Sequence, residues 1–144
     1  MSAMREDVVR EALEWLGTPF HDCSGVKGVG SDCAHLLIRV FAFVGFIEDF
    51  NPQYKPQWFQ HRDEPRFLQA LIEQGAHQIE PAAALPGDVL MYRFGRHAAH
   101  GAIVVDANTI VHAYKPVGHV CKGSRRELLD RLDSAWSLFA EVPA

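Results

Sequence analysis

The chain has 144 residues, 48% of them hydrophobic, enough for one ordinary core and too short for several. A formal net charge of −4 with no basic block gives nucleic acid no electrostatic foothold. Three cysteines without regular spacing make neither a disulfide framework nor a zinc motif.

Residues 1–144 are read as a single domain. Val8, Val9, Ala12, Leu13, Trp15 and Leu16 predict a first helix, closed by Gly17 with Pro19 just beyond. Its start, Met1–Asp7, has no apolar signal-peptide core, so synthesis in the cytoplasm is expected. A glycine-rich stretch, Gly25–Asp32, leads into a second helix. Leu36, Leu37, Val40, Phe41 and Val44 follow Cys33 at the spacing of one helical face, and Gly45 ends it. The most apolar run, Leu36–Phe46, contains Arg39 and falls short of the roughly 20 residues a membrane span needs. Residues 49–63 have no period and read as a loop carrying Tyr54, Trp58 and Phe59. A short third helix starts at Pro65 and ends before Gly75. Three strand patterns follow, Asp88–Phe94, Gly101–Val105 and Thr109–Tyr114, the last two joined as a hairpin through Asp106–Asn108. A fourth strand is expected around His119 and a last helix from about Ser124. Helices first and an antiparallel meander second is an α+β order.

Cys33 is the candidate nucleophile. Capping by Ser31 or Asp32 puts its sulfur in the first turn of a helix, where unpaired N–H groups and the dipole favour thiolate. If the Asp106–Asn108 turn folds the strands back with residue numbers summing to about 212–214, His100 and His112 stand opposite or nearly so. A cysteine that attacks a carbonyl, a histidine relaying its proton and a third group orienting that histidine make a hydrolytic set. Other candidates read more plainly. His97 falls in the expected Arg93–Ala99 turn. His35, about 200° around the helix from Cys33, belongs at the surface or against a loop. Cys121 reads as a small buried hydrophobe, Cys23 as a loop residue, and Trp15 and Trp136 as core. His97-x-x-His100 is a poor metal pair, and no metal or cofactor is expected.

Gly17-Thr18-Pro19-Phe20 after a helix, Asp32-Cys33 opening the next, Pro86-Gly87-Asp88-Val89-Leu90, His100-Gly101-Ala102-Ile103-Val104 and Val111-His112-Ala113 together resemble the NlpC family of cell-wall cysteine peptidases. The resemblance runs from about Val8 to Tyr114, and the Val-Lys-Gly-Val-Gly segment before the cysteine looks most like phage-tail members. It implies a papain-like NlpC fold and hydrolysis of peptidoglycan stem peptides, typically at γ-D-glutamyl–diaminopimelate. It makes Cys33 the nucleophile, His100 the base and His112 the orienting residue. Ala34, Phe20, Asp32 and Trp58 form the expected oxyanion and substrate neighbourhood, with Asp32 acting as the cap. The implied partners are a peptidoglycan peptide and phage-tail or tail-like proteins, without nucleic acid or membrane, in a virion tail or similar particle acting on the wall.

Two features depart from that pattern. The family usually has Tyr where this chain has Phe20, and loss of one oxyanion donor typically costs about 10²–10³ in rate. Asp22-Cys23-Ser24-Gly25 repeats the family's Asp-Cys-Ser-Gly string, but no amphipathic helix follows it, so Cys33 is preferred. The alternatives are a catalytically weak tail-tip subunit of the same fold, and an acyltransferase of related fold.

Overall fold

The computed structural model describes residues 4–51, 66–94 and 97–140. Helix α1 (Arg5–Glu14) buries Val8, Glu11 and Ala12, and Gly17 follows it with φ +86°, a left-handed conformation suited to glycine. The glycine-rich stretch forms a small hairpin, β1 (Gly25–Val26) paired with β2 (Gly30–Ser31). Helix α2 (Cys33–Val44) begins at Asp32, whose side chain accepts the backbone N–H of His35, and ends at Gly45 with φ +96°. Its Leu36, Leu37, Ile38, Val40 and Phe41 are fully buried, each stabilising the fold by roughly 1.5–3 kcal/mol relative to exposure. Helix α3 (Arg66–Glu73) stops before Gly75. The expected start of that helix at Pro65, and Tyr54, Trp58 and Phe59, lie outside the described residues.

The main sheet has six antiparallel strands in the order β3-β8-β4-β5-β6-β7: β3 (His77–Ile79), β4 (Val89–Phe94), β5 (His97–Val104), β6 (Thr109–Tyr114), β7 (His119–Ser124) and β8 (Leu132–Ser137). β4 to β7 are the expected meander. The two faces of the sheet divide by strand alternation. Val89, Met91, Ile103, Val111, Ala113 and Val120 meet α1 and α2 in the larger core. Leu90, Tyr92, Ala102, Val104, Ile110 and Ala135 form a second core on the opposite face.

Two expectations need correction. The segment after Ser124 is not a helix: it turns, makes a short 3-10 stretch at Leu129–Arg131 and becomes β8, wedged between β3 and β4. Arg125–Leu132 is rich in helix formers, but the chain that follows, Leu132–Ser137, is held as a strand by two ladders of main-chain hydrogen bonds, to β3 and to β4, and these outweigh the local preference before it. His97 is not in a turn; β5 begins there, paired with Phe94. β3 and the β1–β2 hairpin, too short for a visible period, escape a sequence reading.

Candidate active site

Asp32 organises the approach to Cys33. One carboxylate oxygen accepts His35 N–H (2.9 Å) and meets His35 Nδ1 (2.8 Å); the other accepts Cys23 N–H (2.7 Å). The loop is held further by Asp32 N–H to the Ser24 carbonyl (3.1 Å). His35 is accordingly buried and packs against the loop, where a side chain at Gly25 would strike its Cβ at 2.7 Å. At a second anchor, Lys27 reaches the buried Glu11 of α1 (2.7 Å), which also accepts Trp15 Nε1–H (3.0 Å). The chain entering α2 is thus fixed from below by Asp32 and from the side by Glu11.

α2 packs across β5 and β6. Those strands pair at Ile103–Val111 and Val104–Ile110, residue numbers summing to 214, within the expected range. Gly101 of β5 lies directly under Leu37, where a Cβ would come within 2.4 Å of Cδ1. Cys33, partly exposed, sits at that approach. Burial and the Asp32 carboxylate push its thiol up to about 12, against the opposing pull of backbone N–H groups of Gly101, Ala34 and Cys33. The dipole argument foresees a lowered thiol; desolvation and the capping carboxylate win. The peptide joining His100 to Gly101 supplies one of those N–H groups, so the sulfur meets β5 beside His100.

His100 and His112 are brought together as the hairpin register allows. His100 Nε2 and His112 Nδ1 are 2.9 Å apart, and both residues are buried. Their register makes them diagonal neighbours on one face. That face also carries Tyr92, the β4 partner of His100, and Cys121, the β7 partner of His112. Tyr114 stacks on His112 at 4.8 Å with an 8° interplanar angle, and Phe94 meets His100 edge-on at 5.5 Å. Burial and the neighbouring His112 push His100 down to about 3, and burial pushes His112 down to about 4. Both rings are therefore neutral near pH 7. One donates and the other accepts in their mutual bond.

Ala34 is buried behind Cys33. Phe20 is half-buried against the larger core, with its N–H on the Gly118 carbonyl (2.8 Å). Trp58 lies outside the described residues. Cys23 is exposed, with φ +59°. Cys121 is half-buried, its thiol raised first by burial and then by Glu127. Among the described residues no group of three or more His, Cys, Asp or Glu is placed to hold a metal ion. Tyr92, Tyr114 and Glu127 were not legible as site neighbours. Only strand alternation from His100 and His112 points to the two tyrosines, and only once the pairing is known.

No family model matches the sequence, and no curated protein matches it. Solved structures do. The NlpC/p60 domain of the peptidoglycan hydrolase SagA is similar over 93% of this chain and 98% of that one, at 21% identity and a TM-score of 0.65. The peptidoglycan hydrolase RipB from Mycobacterium tuberculosis is similar over 92% of this chain and 63% of that one, at 22% identity and a TM-score of 0.64. An NlpC/P60 family protein from Bacillus cereus is similar over 94% of this chain and 40% of that one, at 14% identity and a TM-score of 0.66. The chain thus spans nearly all of the first domain but under two thirds of the other two proteins. Helices before an antiparallel sheet, in an arrangement shared across these structures, show that this chain has the NlpC/p60 fold, a papain-like α+β architecture.

Proposed function

We propose that this chain is a cell-wall hydrolase, a cysteine peptidase that cleaves peptidoglycan stem peptides at an amide such as γ-D-glutamyl–diaminopimelate. The observation that carries the reading is the buried His100–His112 hydrogen bond on the strand pair that α2 crosses with Cys33 at its first turn. SagA and RipB, both described as peptidoglycan hydrolases, support the substrate class.

The ground state is thiol and neutral imidazole, so the reaction runs as general-base catalysis rather than from a stored ion pair. With Nε2 engaged by His112, His100 offers Nδ1 to the thiol. As sulfur attacks the amide carbonyl, the S–H proton passes to Nδ1 and the carbonyl π electrons move to oxygen. N–H groups at the start of α2, those of Cys33 and Ala34, face the developing oxyanion. The tetrahedral species collapses with loss of the amine, which takes the proton from His100, leaving a thioester. Water, deprotonated by His100, attacks the thioester; the carboxylic acid leaves and the thiol regains its proton.

The decisive experiment is mass spectrometry of purified peptidoglycan fragments incubated with the protein and with Cys33→Ala. Products from the wild type alone identify the bond and support the peptidase; products from both overturn Cys33 as nucleophile. A second reading, a catalytically weak subunit of the same fold, draws on Phe20 in the usual Tyr position and on the raised Cys33 thiol. It expects no products from either protein. We place the enzyme in a phage-tail or tail-like particle; co-purification with tail-tip proteins supports that setting, and a freely secreted monomer counts against it.

A further inference from the structure

We infer that Glu127 is a positioning residue for the histidine pair: its carboxylate, directly or through one water, accepts the Nε2–H of His112 and fixes the tautomer in which His100 presents a bare Nδ1 to Cys33. The inference rests on the reading of His100 as base.

Neutral His100 has one ring proton. If Nδ1 is to accept the thiol proton, that ring proton sits on Nε2 and is donated to His112 Nδ1, 2.9 Å away. His112 Nδ1 is then the acceptor, and its own proton is on Nε2. The opposite tautomer pair, His112 donating from Nδ1, leaves His100 with a protonated Nδ1 that cannot take the thiol proton. The geometry of the two rings permits both, so activity depends on what meets the far nitrogen of His112.

That nitrogen points over Gly123 of β7. A Cβ at Gly123 would stand 3.0 Å from His112 Nε2 and 3.7 Å from Glu127 Oε2. The imidazole and the carboxylate therefore border one small space, kept open by a glycine whose backbone needs no positive φ. Across that space a carboxylate rotamer or a single bridging water joins them. His112 makes its one described hydrogen bond to His100.

Glu127 is not placed there by chance of a floppy turn. Arg125, two residues earlier, donates its N–H to the Asn108 carbonyl (2.9 Å) and its guanidinium to the carbonyls of Ala84 (3.1 Å) and Pro81 (3.2 Å). Glu127 N–H closes a turn on the Ser124 carbonyl (3.1 Å). Leu128, next in sequence, takes φ +61° and packs on the second core. The carboxylate thus projects from a segment anchored on both sides. Its field is felt on this face of the sheet: it raises the Cys121 thiol and, after burial and against Arg125, the Tyr92 hydroxyl. The Tyr92 hydroxyl is itself fully buried without a hydrogen-bond partner among the described residues, so the face that carries the histidine pair holds a further polar group. Of the groups gathered here, Tyr92, His100, Tyr114, Cys121, Arg125 and Glu127, only Glu127 is a carboxylate, the strongest acceptor for an imidazole N–H.

The test is long-range ¹H–¹⁵N correlation of the histidine rings at pH 7.5 in the wild type, Glu127→Ala, Glu127→Asp and Gly123→Ala, with kcat and KM measured on the same samples. At that pH both rings are neutral, so the spectra report tautomer and not protonation. The wild type should show His112 and His100 both protonated at Nε2. Glu127→Ala should give a mixed tautomer at His112 and about a 10-fold fall in kcat with KM unchanged. Gly123→Ala, which fills the shared space, should do the same, and Glu127→Asp should restore the wild-type tautomer. A His112 signal identical in wild type and Glu127→Ala overturns the inference whatever the activity. If the wild type cleaves nothing while its tautomer depends on Glu127, the peptidase reading fails and the positioning role stands.

Discussion

A thiol at a helix start is ordinarily read as activated, and Cys33 shows how one neighbour reverses that. The residue that makes the helix begin, Asp32, is also the charge that helps hold the thiol protonated. Asparagine caps a helix about as well as aspartate. Asp32→Asn therefore should lower the pH at which Cys33 titrates while leaving the α2 cap in place. The substitution is not free of cost, because Cys23 N–H (2.7 Å) and the His35 pair of contacts use both carboxylate oxygens. Turning an amide nitrogen toward one of these donors should destabilise the fold by about 1–3 kcal/mol. Alkylation rate against pH, in a background with Cys23→Ala and Cys121→Ala, measures the first effect, and urea denaturation the second. An unchanged alkylation midpoint would show that burial alone sets the thiol.

At the level of elements, the crossing of α2 over β5 places Cys33, the proposed nucleophile, and its tightest point is Gly101 against Leu37. Gly101→Ala brings a methyl to 2.4 Å from Leu37 Cδ1 and should cost about 1–3 kcal/mol by overpacking. Leu37→Ala, from a fully buried position, should cost about 2–5 kcal/mol. The double variant should cost less than the sum, since the new methyl occupies part of the emptied space; strict additivity in denaturant midpoints would refute the contact. The helix in this crossing was legible because Leu36, Leu37, Val40 and Phe41 repeat on one face and Asp32 and Gly45 punctuate it. The strands carrying the histidines were legible because Asp106–Asn108 sets both hairpin and register. β8 was not. Arg125–Leu132, which leads into it, carries helix formers, and the partners of β8 itself lie some forty residues away at Val89–Tyr92 and more distantly at His77–Ile79. No local period encodes such pairing. Glu127 was hidden for the same reason, since its place beside His112 exists only once that segment leaves the helical path expected of it.

Across the whole molecule, burying two imidazoles ties the site to the stability of the fold. In the unfolded chain each ring takes up a proton as the pH falls through about 6.5, whereas the folded protein resists until about 3 for His100 and about 4 for His112. Between those limits the unfolded state binds more protons, so stability declines with acid and recovers as the pH rises. From pH 7 to pH 5 the loss should be on the order of 2 kcal/mol for each histidine, because one pH unit of unmatched protonation is worth about 1.36 kcal/mol. Denaturant midpoints at pH 7 and pH 5 should therefore differ clearly in the wild type and much less in His100→Gln with His112→Gln, whose amides do not titrate. Equal shifts in both proteins would mean that the acid sensitivity arises elsewhere and that the pair is more hydrated than its burial implies. The sign also bears on catalysis. A pair that refuses protons down to about pH 4 keeps His100, the proposed base, available through neutral and mildly acidic conditions, so the acid limit of the proposed hydrolysis should follow unfolding rather than protonation of His100.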